Sequence, residues 1–354
     1  MGHNPVLSVL TYNSMMYSFD DIGLIPSVLS PVKSRQDVKP FIDGKLPVFV
    51  APMTCILDSK NFDTFNKSKV IPIYPIRYDD NTRFTWDSPR WMAMTLVEFK
   101  YWFTNEHAEK EVPTGFYQIL VDVANGHMAQ LYTCVLEAKQ HYGNKLIVMI
   151  GNIANPETYL ECCRAGIDYV RVGIGGGSGC TTSCQTGFHA SLPWLLQQIN
   201  DYKKYAITEI AGNYYDTAGE QLLSKTKVVA DGGINYIDKA IKALALGADY
   251  VMMGKCFAQC IESCGAVNTN DQTKHYYGQS SEYGQFDRFG EVKSHAEGND
   301  SWVPITGTLR KFTDNFEATL RSAMSYAGVF ELKDFIGKVR YEIQSPIEFT
   351  NYIK

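Results

Sequence analysis

The sequence predicts a (β/α)8 barrel. Three observations lead there: eight short apolar runs bounded by turn residues, helical patterns between most of them, and polar or glycine-rich residues at the C-terminal ends of the runs. The runs are LPVFVAPM (46–53), VIPIYPI (70–76), WMAMTL (91–96), FYQILVDVA (116–124), LIVMIGNI (146–153), YVRVGI (169–174), KVVADGG (227–233) and YVMMGK (250–255). Each is continuous rather than alternating, as expected of strands buried on both faces of a parallel sheet. Between them, NPETYLECCRAGID (155–168) and NYIDKAIKALALGAD (235–249) repeat apolar residues at three and four, the period of a helix. Strand then helix, eight times, is the order of the barrel. The third unit is the least defined: WMAMTLVEFKYWF reads as a strand plus a helix or as one helix, and the latter keeps a doubly wound sheet as the alternative.

The 354 residues, 45% hydrophobic and 20% charged, are enough to bury a substantial core. No Pro/Ser-rich linker, charge block or short repeat divides them, so a single domain over 1–354 is expected. Residues 265–308, rich in Gly, Ser, Asn and Tyr, are expected as a long mobile loop or flap after the eighth strand. With Lys+Arg 33 against Asp+Glu 38 the net charge is -5, which leaves no electrostatic footprint for nucleic acid or an anionic membrane. A small-molecule partner is expected. No stretch of about 20 apolar residues could span a bilayer, and MGHNPVLSVLTYNSMMYS has neither a basic start nor a long apolar core, so a cytoplasmic protein is expected. Nine cysteines, an odd number scattered from Cys55 to Cys264, predict reduced thiols rather than a disulfide framework.

In a barrel, the strand C-terminal ends form the catalytic face. Asp122 and Asn125 follow the fourth run, Asn152 the fifth, and the glycine loop RVGIGGGSGCTTSCQTG (171–187) the sixth. Asp231-Gly232-Gly233 ends the seventh and Gly254-Lys255 the eighth. Gly232, Gly233, Gly254 and Lys255, with Ser178 as a third wall, suit a phosphate, because unencumbered glycine N–H groups can face an anion; the alternative is that these glycines only close tight turns. Cys180 sits near backbone donors that lower a thiol pKa and is a candidate nucleophile. Cys184, Cys256, Cys260 and Cys264 read as packing. Thr181 and Thr182 either cap a helix beginning near 182 or relay a proton. Glu297, in HAEG (295–298), is a lone acid whose interest lies in its loop. The absence of a C-x-x-C pair or an H-E-x-x-H argues against a zinc-type site.

Taken in order, FDDIGLIPSVLSPVKSRQDV (19–38), LPVFVAPM, DVANGH (122–127), GIGGGSGCTT (173–182), ADGGI (230–234), GADYVMMG (247–254), YGQSSEYG (277–284), AEG (296–298) and RSAMSYAG (321–328) resemble the inosine monophosphate dehydrogenase and guanosine monophosphate reductase superfamily over most of the chain. The resemblance implies a barrel, usually tetrameric, whose cysteine attacks C2 of a purine nucleoside monophosphate. It makes Cys180 the nucleophile, with Thr182 and Glu297 as the proton-handling pair. It assigns Ser178, Asp231, Gly232, Gly233, Gly254 and Lys255 to ribose and phosphate, and Gly278, Gln279, Ser280, Ala296 and Gly298 to the purine edge. Asp122, Val123 and Ala124 match contacts near the nicotinamide, Ser34 and Arg35 an adenosine-side contact from a neighbouring subunit, and Ile174, Gly175, Ser322 and Ser325 further cofactor contacts. Gly175, Gly177 and the Cys180 carbonyl match a potassium site.

The resemblance favours the reductase branch: KSR-x-D-V at 33–38, DVANG after the fourth strand, and S-S-E at 280–282. Only 14 residues (77–90) stand where the dehydrogenase usually carries a regulatory domain pair, and Arg288 is followed by Phe289 rather than the tyrosine its flap needs. The expected activity is NADPH-dependent conversion of GMP to IMP and ammonia. The alternatives are oxidation of IMP with NAD, action on a modified purine nucleotide, and nucleotide binding without catalysis. The chain departs from the reductase pattern at Met53-Thr54-Cys55 in place of M-D-T, at Ile76 or Arg77 in place of a lysine, at Lys255 in place of a glycine, at Gln279 in place of a methionine, and in a longer 200–226 segment.

Overall fold

The structure, a computed structural model, describes residues 17–77, 90–106, 117–176, 186–209, 226–293, 295–296, 298 and 300–343. Strand β1 (Ile22–Leu24) precedes the barrel. The barrel strands are β2 (Val48–Val50), β3 (Ile71–Tyr74), β4 (Trp91–Met94), β5 (Tyr117–Asp122), β6 (Leu146–Ile153), β7 (Tyr169–Val172), β8 (Lys227–Asp231) and β9 (Tyr250–Met253). All eight pair in parallel and the sheet closes on itself, with Val48 of β2 in register with Val251 of β9. The eight apolar runs are thus the eight barrel strands, and the doubly wound alternative is excluded by the closure.

The third unit divides where its side chains let it. Thr95 accepts from the Glu98 N–H at 3.1 Å, while the Glu98 carboxylate accepts from the Thr95 N–H at 2.7 Å. This reciprocal cap stops β4 and starts the helix Leu96–Tyr101. At the other end of the chain, the helix Leu309–Ala327 is capped by the Thr308 hydroxyl and buries Leu309, Thr313, Phe316, Leu320 and Met324 along one stripe; it ends at Gly328 in the left-handed region.

The barrel is plugged at its N-terminal end. Trp91, Tyr169 and Tyr250 open β4, β7 and β9 and surround Phe49 of β2, with ring centroids 5.2–6.0 Å apart. Aromatic rings at those separations fill the interior and attract edge to face. The open end is therefore the C-terminal one.

Residues 265–308 hold more regular structure than a loop. β10 (Val267–Asn268), β11 (Thr273–Tyr277) and β12 (Asp300–Pro304) form an antiparallel sheet, and the helix Glu282–Phe289 lies between β11 and β12. β13 (Tyr341–Ile343) returns to pair antiparallel with β1. No helix among the described residues is long and apolar enough to cross a membrane.

Candidate active site

A cavity of about 470 Å³ opens at the C-terminal end of the barrel. Its wall is assembled from the ends of the strands and from the segment after β11. Of the residues assigned from the sequence to the nucleotide, Asp231, Gly232, Gly233, Gly254, Lys255, Gly278, Gln279 and Ser280 line it; of those assigned to the cofactor, Asp122, Val123, Ala124, Ile174 and Gly175 do. Residues at the ends of β5, β7, β8 and β9 and from the segment after β11 thus converge on one space.

Beneath the cavity runs a buried charged network. Arg171, in β7, donates from Nη1 to Asp122 Oδ1 and from Nη2 to Asp231 Oδ2, both at 2.8 Å. Asn152 Nδ2 donates to the same Asp231 oxygen and to the Gly173 carbonyl, each at 2.8 Å. Arg288, from the helix Glu282–Phe289, reaches Asp122 Oδ2 at 3.2 Å. Burial opposes ionisation of Asp122, but the Arg288 and Arg171 guanidiniums outweigh it and hold the carboxyl below its ordinary range. Both Asp122 oxygens are occupied, so that side chain orients the wall. On Asp231 only Oδ2 is engaged among the described residues, which leaves Oδ1 as an acceptor for a ligand hydroxyl.

The glycines at the ends of β7 and β8 allow these loops to touch. Gly173 adopts φ +126°, and a Cβ there would lie 2.1 Å from the Asp231 carbonyl oxygen. Gly233, at φ +73°, would place a Cβ 2.8 Å from the Gly176 carbonyl oxygen. Neither position tolerates a side chain. Gly173→Ala is accordingly expected to destabilise the protein by about 3 kcal/mol or more, read from denaturant unfolding, because it combines left-handed strain with a clash against the strand carrying Asp231. A variant as stable as the parent would show that the two loops do not meet as described.

Other expected residues lie elsewhere. Ala296 and Gly298 are described but do not line the cavity. Ser34, Arg35, Ser322 and Ser325 also lie outside its wall and instead meet one another's segments on the outer face: the Ser30 hydroxyl donates to the Ser325 carbonyl at 2.7 Å and Arg321 to the Arg35 carbonyl at 3.4 Å. Gly177, Ser178, Cys180, Thr181, Thr182, Cys184 and Glu297 fall outside the described residues. Cys256 and Cys260 are buried with their thiols pushed up to about 12 by burial, which fits packing and not nucleophilic use.

Sequence reasoning overlooked Arg171. The signal was present: a single cation inside the continuous apolar run YVRVGI must find partners once that run is buried on both faces. It also assigned no role to Met53, Thr95 or Tyr276, which line the cavity. Nothing in their local pattern separates them from ordinary core and cap residues.

The family model for the IMP dehydrogenase / GMP reductase domain matches residues 100–349. The chain is 30% identical over 342 residues to a GMP reductase of Staphylococcus carnosus (strain TM300), an alignment covering 93% of this chain and 96% of that protein. It is 30% identical over 349 residues to a GMP reductase of Streptococcus agalactiae serotype III (strain NEM316), covering 93% and 95%. A GMP reductase of Bacillus licheniformis is 28% identical over 342 residues, with 93% and 96% covered.

Proposed function

Because this chain belongs to the IMP dehydrogenase / GMP reductase family, we propose that it is a GMP reductase, converting GMP to IMP and ammonia at the expense of NADPH. The observation that carries the reading is the convergence of Asp231, Gly232, Gly233, Gly254 and Lys255 with Gly278, Gln279 and Ser280 on one cavity at the open end of the barrel. Glycine N–H groups and the Lys255 ammonium suit a phosphate, and Asp231 Oδ1, unengaged among the described residues, suits a ribose hydroxyl.

In this reading the Cys180 thiolate attacks C2 of the guanine ring. The C–N bond to the 2-amino group breaks, and Thr182 with Glu297 delivers the proton that lets it leave as ammonia. Asp122, Val123 and Ala124 would hold the nicotinamide end of NADPH, which would supply the hydride that C2 needs; Cys180 would then leave C2 as the restored thiolate, with IMP as product. Val123 and Ala124 leave an uncharged wall where a nicotinamide would stack. Ser34 and Arg35, which do not line the cavity of their own chain, are assigned to the adenosine half bound by a neighbour, within a homotetramer. A potassium ion on the carbonyls of Gly175, Gly177 and Cys180 belongs to the same reading, and exchanging potassium for choline in the assay tests it. Phe289 beside Arg288 offers no hydroxyl for water activation, which favours reduction over the dehydrogenase chemistry.

Incubation with GMP and NADPH is expected to consume the reduced cofactor and release ammonia in equal amounts. Turnover confined to IMP and NAD would replace this reading with the dehydrogenase.

A further inference from the structure

We propose that Arg288 is a positioning residue for hydride delivery: its ion pair with Asp122 fixes the separation between the purine wall and the nicotinamide wall of the cavity. The inference rests on the reading above, in which the turn 278–280 meets the purine and residues 122–124 meet the nicotinamide. Those walls belong to different parts of the fold, one to the segment after β11 and the other to the end of β5. Arg288 Nη2 lies 3.2 Å from Asp122 Oδ2, and among the described residues this is the one ion pair between residues 278–293 and the barrel strands.

Each side of the pair is rigid. A Cβ on Gly284 would overlap the Gly278 carbonyl oxygen, so the helix Glu282–Phe289 packs directly on the turn. The Ser281 N–H and hydroxyl donate to that carbonyl at 3.1 and 2.7 Å, and the Ser281 hydroxyl accepts from the Gly284 N–H at 3.1 Å. Turn and helix therefore move as one body, with Arg288 in its last turn. Opposite, Asp122 is in register with Gly151 of β6, the Val123 N–H donates to the Gly151 carbonyl at 3.2 Å, and Arg171 occupies Asp122 Oδ1.

The side chains of Arg288 and Asp122 are only 13% and 14% exposed, so solvent and salt screen the pair little, unlike an ion pair on the surface. Asp122 is the sole hydrogen-bond partner of the Arg288 side chain among the described residues, and the guanidinium lies 5.3 Å from the centre of the Phe289 ring. Hydride passes when donor and acceptor carbons meet at about 3–3.5 Å, and a displacement of about 1 Å costs on the order of 10²-fold. Attack by Cys180 depends less on that separation, because the nucleotide is anchored at its phosphate and ribose and the C–S bond then tethers C2. The hydride donor has no such tether.

Single-turnover mixing of the full-length enzyme with GMP and NADPH, following ammonia and NADPH oxidation separately, tests this on the parent, Arg288→Met and Arg288→Lys. In Arg288→Met, NADPH oxidation is expected to slow by about 30-fold or more, ammonia release to stay within about fivefold, and GMP affinity by calorimetry within about threefold. Arg288→Lys restores the charge without the planar fork, and its NADPH oxidation should lie about threefold to tenfold below the parent. Hydrogen exchange of the ligand-free proteins reads the anchor apart from activity: in Arg288→Met the amides of 278–289 should exchange at least about tenfold faster, with β5 and β8 unchanged. Equal losses of ammonia release and NADPH oxidation, unchanged exchange in 278–289, or faster exchange throughout the barrel overturn the positioning role while the reductase reading stands. Should Arg288→Met not fold, Arg288→Lys decides: slowed NADPH oxidation with parent-like ammonia release supports the role, and parent-like or equally lowered rates overturn it. A parent that releases no ammonia from GMP with NADPH overturns both readings.

Discussion

Cys180→Ala is expected to lower ammonia release from GMP and NADPH by at least about 10³-fold while leaving GMP affinity within a few-fold of the parent. The size follows from the chemistry. Direct hydride attack on a guanine still carrying its amino group would have to expel a poor leaving group from a neutral ring, whereas a thiolate adduct divides the displacement into two steps. The split between turnover and affinity follows from where binding resides: the glycine turns after β8 and β9, Lys255 and Asp231 are untouched by the substitution. Single-turnover mixing of stoichiometric enzyme and GMP, with ammonia measured in the absence of NADPH, isolates the first half of the reaction. The parent should release up to one ammonia per active site and the variant none. Substantial turnover by Cys180→Ala would remove the sulfur from the mechanism and leave a non-covalent route to be found.

How much of this was legible beforehand differs between parts of the chain for identifiable reasons. The barrel strands were readable because burial on both faces makes each a continuous apolar run, and the aromatic plug of Phe49, Trp91, Tyr169 and Tyr250 only reinforces that pattern. The division of the third unit was written in Thr95 and Glu98, three residues apart, but a capping box is visible only to a reader already looking for a helix start. β11 was hidden by its own chemistry. Lys274 points inward, its ammonium donating to the carbonyls of Cys260, Ile261 and Ser263 and to the Ser263 hydroxyl, so an interior position carries a charge and the alternation of THR-LYS-HIS-TYR-TYR is masked. For the site, glycine turns announce themselves as composition, whereas the network under them depends on contacts between β5, β6, β7 and β8 that no local spacing encodes.

Arg171 carries the second large effect, and its sign depends on pH. Among the described residues, replacing it by methionine leaves Asp231 with Asn152 and Asp122 with Arg288, both largely buried in the cavity wall. Breaking a buried pair by removing one partner costs about 3–5 kcal/mol, which for a chain of this length corresponds to a fall of roughly 4–7 °C in Tm at neutral pH. In the parent, Asp122 has a folded pKa held below its unfolded value near 3.9, so its contribution to stability is present above that value and is lost as pH falls through the folded one. In Arg171→Met one of the two guanidiniums that outweigh burial at Asp122 is gone, so its carboxyl pKa rises, and the folded state is penalised as pH rises through it. The gap in Tm between parent and variant should therefore be widest near neutral pH and narrow as pH falls into the acid range, where protonation removes the uncompensated charge. Arg171→Lys separates charge from shape, because an ammonium restores the compensation but cannot span both carboxylates as the planar fork does; it should recover most of the neutral-pH stability and less of the nucleotide affinity. A gap in Tm that is the same at pH 5 and pH 7.5 would mean that packing around Arg171, and not its charge, holds this end of the barrel together.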